Sequence, residues 1–478
     1  MPPRLRMHVL PLGHADAGCA DGGHLELAGD DCGAGQAILS RSRGLRPGVD
    51  VSQAHSPLGK FGRMTATSEG IDASVRSAVL ATYAVFIASG VAFASWASRI
   101  PQVRDRFHLD PSQVGLVLLA IAAGSVIALP LSGVIIGHFG SRWTVRITAL
   151  LVAVAMIVVS LGYLVGLMPV VIGLFLFGLG MGAWDVGMNV QGALAERRLG
   201  RAIMPRFHAG FSVGTVAGAL IGAGMVALQV PVPAHLIGVA VLVGVGVPLA
   251  VRGFLPDDVE QDKAEDHAEP GRRGSRWKAL YAWREPRTLL IGLFVLAFAF
   301  AEGTGNDWIG IALIDGYGTS AAVGTLGFAT FLAAMTAGRW FGPSSLDRCG
   351  RVIVIRVLTV ICVVGVLLFV FGTYVVVAFI GAVLWGVGLA LGFPVGMSAG
   401  ADEAAMAAPR VSVIASIGYC AFLAGPPLIG FLGDHFTVLR AVLAVAVLLA
   451  MAIMITRVIR PPAGTSAISA PQTRGQQL

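Results

Sequence analysis

Two stretches of the chain place carboxylates among residues that otherwise avoid water. Asp185 stands in FGLGMGAWDVGMNVQG, and Glu302 and Asp307 stand in FAFAEGTGNDWIG. An ionisable group at membrane depth is costly unless it faces protein or a water-filled cavity, so such positions point to function. A carboxyl removed from water holds its proton more tightly, because its charged form loses solvation. It can take up a hydrogen ion from one side of a barrier and release it to the other. Asp185 and Asn189 are four residues apart and share a helix face. Asp185 and Glu302 are therefore the expected proton-coupling pair. Glu302 could instead supply a hydrogen bond to a solute, and either acid could simply be paired with a buried Arg. Asn189, Asn306 and Asp307, with Arg99 from FASWASRIP, are expected on the wall of a polar cavity.

The tryptophans give a second set of marks. Trp96, Trp184, Trp308 and Trp385 fall one each in four of the apolar runs, and as large amphipathic rings they could line a cavity or anchor at an interface. His208, in PRFHAGFSVG, titrates near about 6.5 when unperturbed and could act as a switch. More often such a residue only packs. The five cysteines, Cys19, Cys32, Cys349, Cys362 and Cys420, have neither metal-ligand nor disulfide-framework spacing. No metal and no cofactor are expected.

The elements that carry these residues are apolar runs. The chain of 478 residues is 55% hydrophobic and 13% charged, with a mean hydropathy of +0.78, well beyond a water-soluble composition. A spanning helix needs about 20 apolar residues. Twelve runs qualify, at 78–98, 112–136, 144–165, 169–194, 207–228, 234–252, 288–313, 321–341, 352–373, 376–399, 409–432 and 437–457. Only spans 1, 4 and 7 are expected to hold ionisable groups at depth. Gly210, Gly214, Gly218 and Gly222 in span 5, and Gly388, Gly392, Gly396 and Gly400 in span 10, give each helix a flat face for close packing. Pro394 in span 10 and Pro426 and Pro427 in span 11 free backbone carbonyls, which makes local hinges.

Short loops that keep Arg and Lys face the cytoplasm. Arg142, Arg146, Arg197, Arg198, Arg201, Arg206, Arg348, Arg351, Arg356 and Arg410 all fall on one side. Arg99, Arg104, Arg106 and Arg440 are exceptions. Both termini are thus expected in the cytoplasm, in a cell (plasma or inner) membrane. The net charge of +7 reflects this asymmetry and not a nucleic-acid partner. Residues 1–75 have no apolar run of signal-peptide length. They read as a disordered extension, or as sequence upstream of a true start near Met64. Residues 459–478 read as a disordered tail. A polar stretch, 254–287, separates bundles at 76–253 and 288–458. Within it Trp277, Leu280, Tyr281 and Arg284 have helical spacing, suited to a short helix on lipid headgroups or to a plain tether.

The two halves share a loop between their second and third spans. The later copy reads LDRCGRVIVIR and the earlier IGHFGSRWTVR, so Gly140 and Arg146 match Gly350 and Arg356, 210 positions apart. An acid beside clustered Arg at helix ends can join two elements in one conformation and release them in another. Gly140, Arg142, Arg146, Asp347, Arg348, Gly350 and Arg351 are the expected cytoplasmic gate, with topology anchoring as the plainer role. Duplicated six-helix halves with this loop resemble the major facilitator superfamily, whose signature is roughly GxxxDRxGRR. The resemblance covers residues 75 to 460, and GAWDVGMN, RFHAGFSVG, FAEGTGNDW and GPPLIGFLGD place it near the MosC-like and YbjJ-like branch. It implies an all-α fold of twelve helices in two pseudo-symmetric bundles, with spans 1, 4, 7 and 10 around a central cavity. The acid and Asn of span 4 also resemble the fucose-permease type of symporter.

The expected function is secondary transport of a small polar solute such as a sugar or cyclitol, proton-coupled, by a monomer that rocks around a midplane site in the bilayer. Efflux of an amphipathic compound is the rival, although Thr215 follows Gly214 where drug antiporters usually carry Pro. A membrane-embedded enzyme or a non-transporting sensor is a further alternative. No nucleophile and base pair, nucleotide loop or signalling domain supports it.

Overall fold

The computed structural model describes residues 68–201, 203–257, 280–403 and 406–461. The expected tail with Met64, Cys19 and Cys32, the linker around Trp277 and the last seventeen residues lie outside these. Among the described residues the chain is helical with no strand. Eleven segments are long and apolar enough to cross a bilayer. One of them, Pro111–Val165, has 55 residues, or roughly 80 Å of helix, against a hydrocarbon core of about 30 Å. It breaks at Gly140, where φ is 78° and ψ 163°. The segment therefore crosses twice, and the crossings number twelve.

They are α1 (Ser68–Ala97), α2 (111–139), α3 (141–165), α4 (Leu167–Leu199), α5 (Met204–Ala227) and α6 (Val232–Ala250), then α7 (Pro286–Tyr317), α8 (Ala321–Phe341), α9 (Arg351–Phe371), α10 (Val375–Gly400), α11 (Ala407–His435) and α12 (Val438–Ile459). A short helix, Ile100–Phe107, follows α1 and another, Pro343–Cys349, follows α8. Successive helices alternate in direction, which gives two faces. The basic face carries Arg142, Arg197, Arg348 and Arg351, and the far face carries the turns near 108, 166, 229, 318, 373 and 436.

Local chemistry fixes the ends. Asp110 and Gln113 form a capping box at the start of α2, with Pro111 at the first position. Glu196 reaches over the turn after α4 and accepts from the backbone amides of Ile203 and Met204 at 2.6 and 2.7 Å. That carboxylate satisfies two of the free donors at the start of α5. Gly318, at φ 63°, closes α7 in the left-handed conformation.

Helices α1–α6 pack mainly on one another, as do α7–α12, and the two sets meet where α2 lies on α11 and α5 on α8. The glycine stripe of α5 faces α1, with Gly210 against Tyr83, Gly214 against Ile87 and Gly218 against Val91. A Cβ at Gly214 would run into the backbone of Ile87, so only glycine permits this approach. The stripe in α10 behaves differently. Its helix is interrupted between Leu389 and Gly392, a few residues before Pro394. Gly388 consequently meets Cys362 of α9, whereas Gly392 and Gly396 meet Phe298 and Val295 of α7.

Candidate substrate cavity and gates

A cavity of about 200 Å³ lies among α1, α2, α4, α7 and α11, lined by Phe93, Trp96, Leu118, Phe177, Met181, Gly303, Asn306, Asp307, Tyr419 and Phe422 with smaller neighbours. Helical spacing explains what α7 offers it. Glu302, Gly303, Asn306, Asp307 and Gly310 are all partly exposed, while Ala301, Thr304, Gly305 and Trp308 turn inward to the packing. The same holds in α4, where Met181, Asp185 and Asn189 form a half-buried stripe beside the buried Trp184 and Met188.

Asp307 borders this cavity and, among the described residues, has no hydrogen bond or ion pair. Asn306 Oδ1 and Trp96 Nε1 border it too, and both are buried atoms without a partner among the described residues. Asp185 is outside the lining and within electrostatic range of Tyr419, which is part of it. Asn189 Nδ2 donates to the Asp185 carbonyl at 2.8 Å and to its Oδ1 at 3.3 Å, a bond within one helix face.

Glu302 takes the ion-pair alternative. Both its carboxylate oxygens accept from Arg339 of α8 at 2.9 Å. The base, Arg339, belongs to α8, so ionisable groups at depth are not confined to spans 1, 4 and 7 as expected. His208 packs edge-on against Phe86, with ring centroids 5.3 Å apart, and lies within electrostatic range of Arg339 across the α5/α8 contact.

Arg99 and three of the tryptophans also lie elsewhere. Arg99 is 2% exposed; its Nε donates to His235 Nδ1 at 3.0 Å and its guanidinium to the Val230 carbonyl at 3.2 Å. It pins the far end of α1 to α6 and turns its charge from the cavity. Trp184, Trp308 and Trp385 are fully buried and are absent from the lining. Trp385 sits edge-on between Phe331 and Phe369, at 5.5 and 5.8 Å, a packing arrangement within α8, α9 and α10. Trp96 alone of the four reaches the cavity, and neither Asp185 nor Asn189 is part of its lining.

The loops of the basic face hold their own halves together. Gly140 and Gly350 share one backbone conformation, φ 78° and 79° with ψ 163° and 153°. Beyond Gly140 the Ser141 amide donates to Asp257 at 2.7 Å, and Arg142 donates to the carbonyls of Arg252 and Phe254. Arg146 stacks on Trp143 at 5.0 Å. Beyond Gly350, Arg351 pairs with Asp402 at 2.7 Å, which also takes Arg287 at 3.0 Å. Asp402, with a side chain 7% exposed, is the acid of the network. Asp347 and Arg348, expected in that role, are exposed and unpaired among the described residues. Arg410 meets Glu285 at 2.7 Å and Glu403 at 3.1 Å. Burial opposes the Glu285 charge, but hydrogen bonds from Thr288 and Arg410 and the charges of Arg410 and Arg287 hold its carboxyl below the ordinary range.

Two side-chain contacts join the helix sets on the far face. Arg104 joins Asp315 at 2.5 Å, and the Ser112 hydroxyl and amide donate to Asp434. Gly115 lies against Pro426, and Gly430 against Pro111. None of these was anticipated. Asp105 stands in the short helix after α1, and Asp315 and Asp434 in the last turns of α7 and α11, helix ends where a charge is unremarkable.

Twelve crossings in two six-helix sets, a cavity between the sets and ionic contacts at helix ends define a polytopic membrane transporter. The chain belongs to the major facilitator superfamily, whose family model matches residues 78–420. It is 33% identical to the uncharacterized transporter y4wD of Sinorhizobium fredii over 353 residues, covering 74% of this chain and 90% of that protein. It is 28% identical to the membrane protein MosC of Rhizobium meliloti, over 77% of this chain and 87% of that one. Among solved structures, the E. coli fucose:proton symporter FucP superposes with a TM-score of 0.54 at 16% identity, over 80% of this chain and 98% of that one, a likeness of fold. The chain is accordingly a transporter and not an enzyme.

Proposed function

We propose that this transporter moves a small polar solute by alternating access, coupled to protons, and that the conformation described is the one open to the cytoplasm. The observation that carries the reading is the placement of bonds between the helix sets. Arg104 with Asp315 and Ser112 with Asp434 close the far face, while on the basic face the pairs of Arg287 and Arg351 with Asp402 and of Arg410 with Glu285 each stay within one set. The basic face is cytoplasmic by its Arg content.

Two carboxylates serve the coupling. Asp185 keeps the part expected of it, and Asp307 takes the second part because Glu302 is occupied by Arg339. A carboxylate lacking a counter-ion at this depth gains most from protonation. Neutralising Asp185 and Asp307 would lower the cost of moving them through an occluded state, which makes closure and proton uptake one event. The resemblance to a fucose:proton symporter fits this part. The apolar share of the lining, Phe93, Phe177, Met181 and Phe422, favours efflux of an amphipathic compound as the second reading.

The test uses proteoliposomes loaded with the solute found by thermal-stabilisation screening, since a ligand that binds only the folded form raises its stability. Asp185→Asn and Asp307→Asn should each abolish accumulation driven by an imposed pH gradient while exchange of solute for solute continues. Undiminished gradient-driven accumulation in both variants removes the coupling role.

A further inference from the structure

The charge around the cavity restricts what can enter it. Its lining holds one carboxylate, Asp307, and no Lys, Arg or His. The bases that could offset that charge are committed elsewhere. Arg99 is bonded to His235 and Val230, Arg104 to Asp105 and Asp315, and Arg339 to both oxygens of Glu302. Asp185 adds a second carboxylate behind Tyr419. Beside Asp307 the acceptor Asn306 Oδ1 is unpartnered and buried. Phe93, Trp96, Phe177, Tyr419 and Phe422 supply five aromatic rings around the same space.

We infer that the transported solute is an organic cation of the ammonium type, an inference that rests on the transport reading above. An ammonium brings donors and no acceptors, which suits Asp307 and Asn306 Oδ1 together. Aromatic faces attract cations through the negative charge of their π-clouds. An anion would meet the Asp307 carboxylate, with no base in the lining to offset it, in a medium that screens poorly. A neutral polyol could hydrogen-bond the carboxylate but would leave its charge uncompensated at this depth.

The cavity field can be read directly on the full chain in nanodiscs. Ala122, which lines the cavity, is replaced by cysteine in a background of Cys19→Ser, Cys32→Ser, Cys349→Ser and Cys420→Ser, with the buried Cys362 retained. Its reaction rates with the trimethylammonium-ethyl and sulfonato-ethyl methanethiosulfonates are compared, each relative to a free thiol. The cationic reagent should be favoured by about tenfold, the scale on which a charged cleft concentrates ions. Asp307→Asn should remove most of that preference and Asp307→Glu should keep it. Glucosamine should slow the cationic reaction where glucose and glucuronate at equal concentration do not. Equal relative rates, or a preference that survives Asp307→Asn, overturn the cationic class and leave a transport cavity in place. Protection by glucuronate alone overturns it as well. If the cysteine reacts with neither reagent, the open cavity is absent, and the transport reading and this inference fall together.

Discussion

The far-face bonds make a quantitative prediction about which way the molecule opens. Arg104 has a side chain 14% exposed and its partner Asp315 44%, so the pair belongs near the upper end of half-exposed ion pairs, about 1 kcal/mol. Asp315→Asn is a clean perturbation, because Arg104 keeps Asp105 at 2.7 Å and no charge is left bare. Asp434 accepts from Ser112 through an exposed carboxylate, for which about 1 kcal/mol is again reasonable once solvent competition is allowed for. The two sites share no partner, so their effects add to roughly 2 kcal/mol. The ratio of far-closed to far-open molecules should then fall by roughly thirtyfold in Asp315→Asn with Asp434→Asn. A resting preference of about 100 to 1 would become about 3 to 1, which is visible as a second population. Spin labels at Val165 and Tyr374, exposed by 81% and 73%, sit on the far face in opposite helix sets. Double electron–electron resonance in nanodiscs should show a longer-distance component in the double variant and an intermediate fraction in each single one. A distance distribution identical to the parent's in the double variant would refute the assignment of these bonds as the lock.

Three further outcomes follow from the same contacts. Arg339→Gln strands the Glu302 carboxylate, whose side chain is 20% exposed, and should cost about 2 kcal/mol, less than a fully buried pair would; adding Glu302→Gln should recover most of it, read as melting temperature in nanodiscs. Because the Glu285 carboxyl is held below the ordinary range, its contribution is present at neutral pH and is lost as pH falls through that lowered value. Glu285→Gln should therefore flatten the acid limb of the melting-temperature profile, and an unchanged limb would mean that other carboxylates control it. Gly350→Ala should cost about 1 to 3 kcal/mol from backbone strain alone, since its φ of 79° is a glycine conformation and nothing lies near the added Cβ. Gly140→Ala should cost more, because there the Cβ meets Asp257; equal losses on chemical denaturation would show that Asp257 yields freely.

Hydropathy made the crossings legible, since each had to be apolar for about 20 residues whatever its role. The break at Gly140 was legible for a related reason: the loop copy at Gly350 required the same glycine conformation. Facing was far less legible. Trp184 and Asp185 are sequence neighbours, yet one is wholly buried and the other half-buried, because adjacent helix positions differ by about 100° of rotation. Arg339, in AGRWFG at the end of α8, reads as a topology anchor, and only the fold brings it to Glu302, 37 positions earlier. Arg99 and His235, 136 positions apart, gave no local sign of their pairing. Phe93, Tyr419 and Phe422 are aromatic residues among many, and nothing in their spacing marks them as cavity wall.

The two matched loops use one backbone shape for different chemistry, and that difference bears on where a basic-face gate can form. After Gly140 the carboxylate of Asp257 binds a backbone amide and the Ser141 hydroxyl, with Gln191 donating nearby. After Gly350 the carboxylate of Asp402 binds two guanidinium groups. In both cases acid and donor belong to the same helix set, so neither bond must break for the sets to rock apart. Closing the basic face would instead bring exposed charges of opposite sets together. Asp347 and Arg348 remain uncommitted among the described residues and face solvent in the short helix after α8, and α5, whose start carries Arg206 and His208, packs on α8. A contact from Asp347 to Arg206 in the far-open state would give the acid of the loop a gating part that the conformation described here does not use.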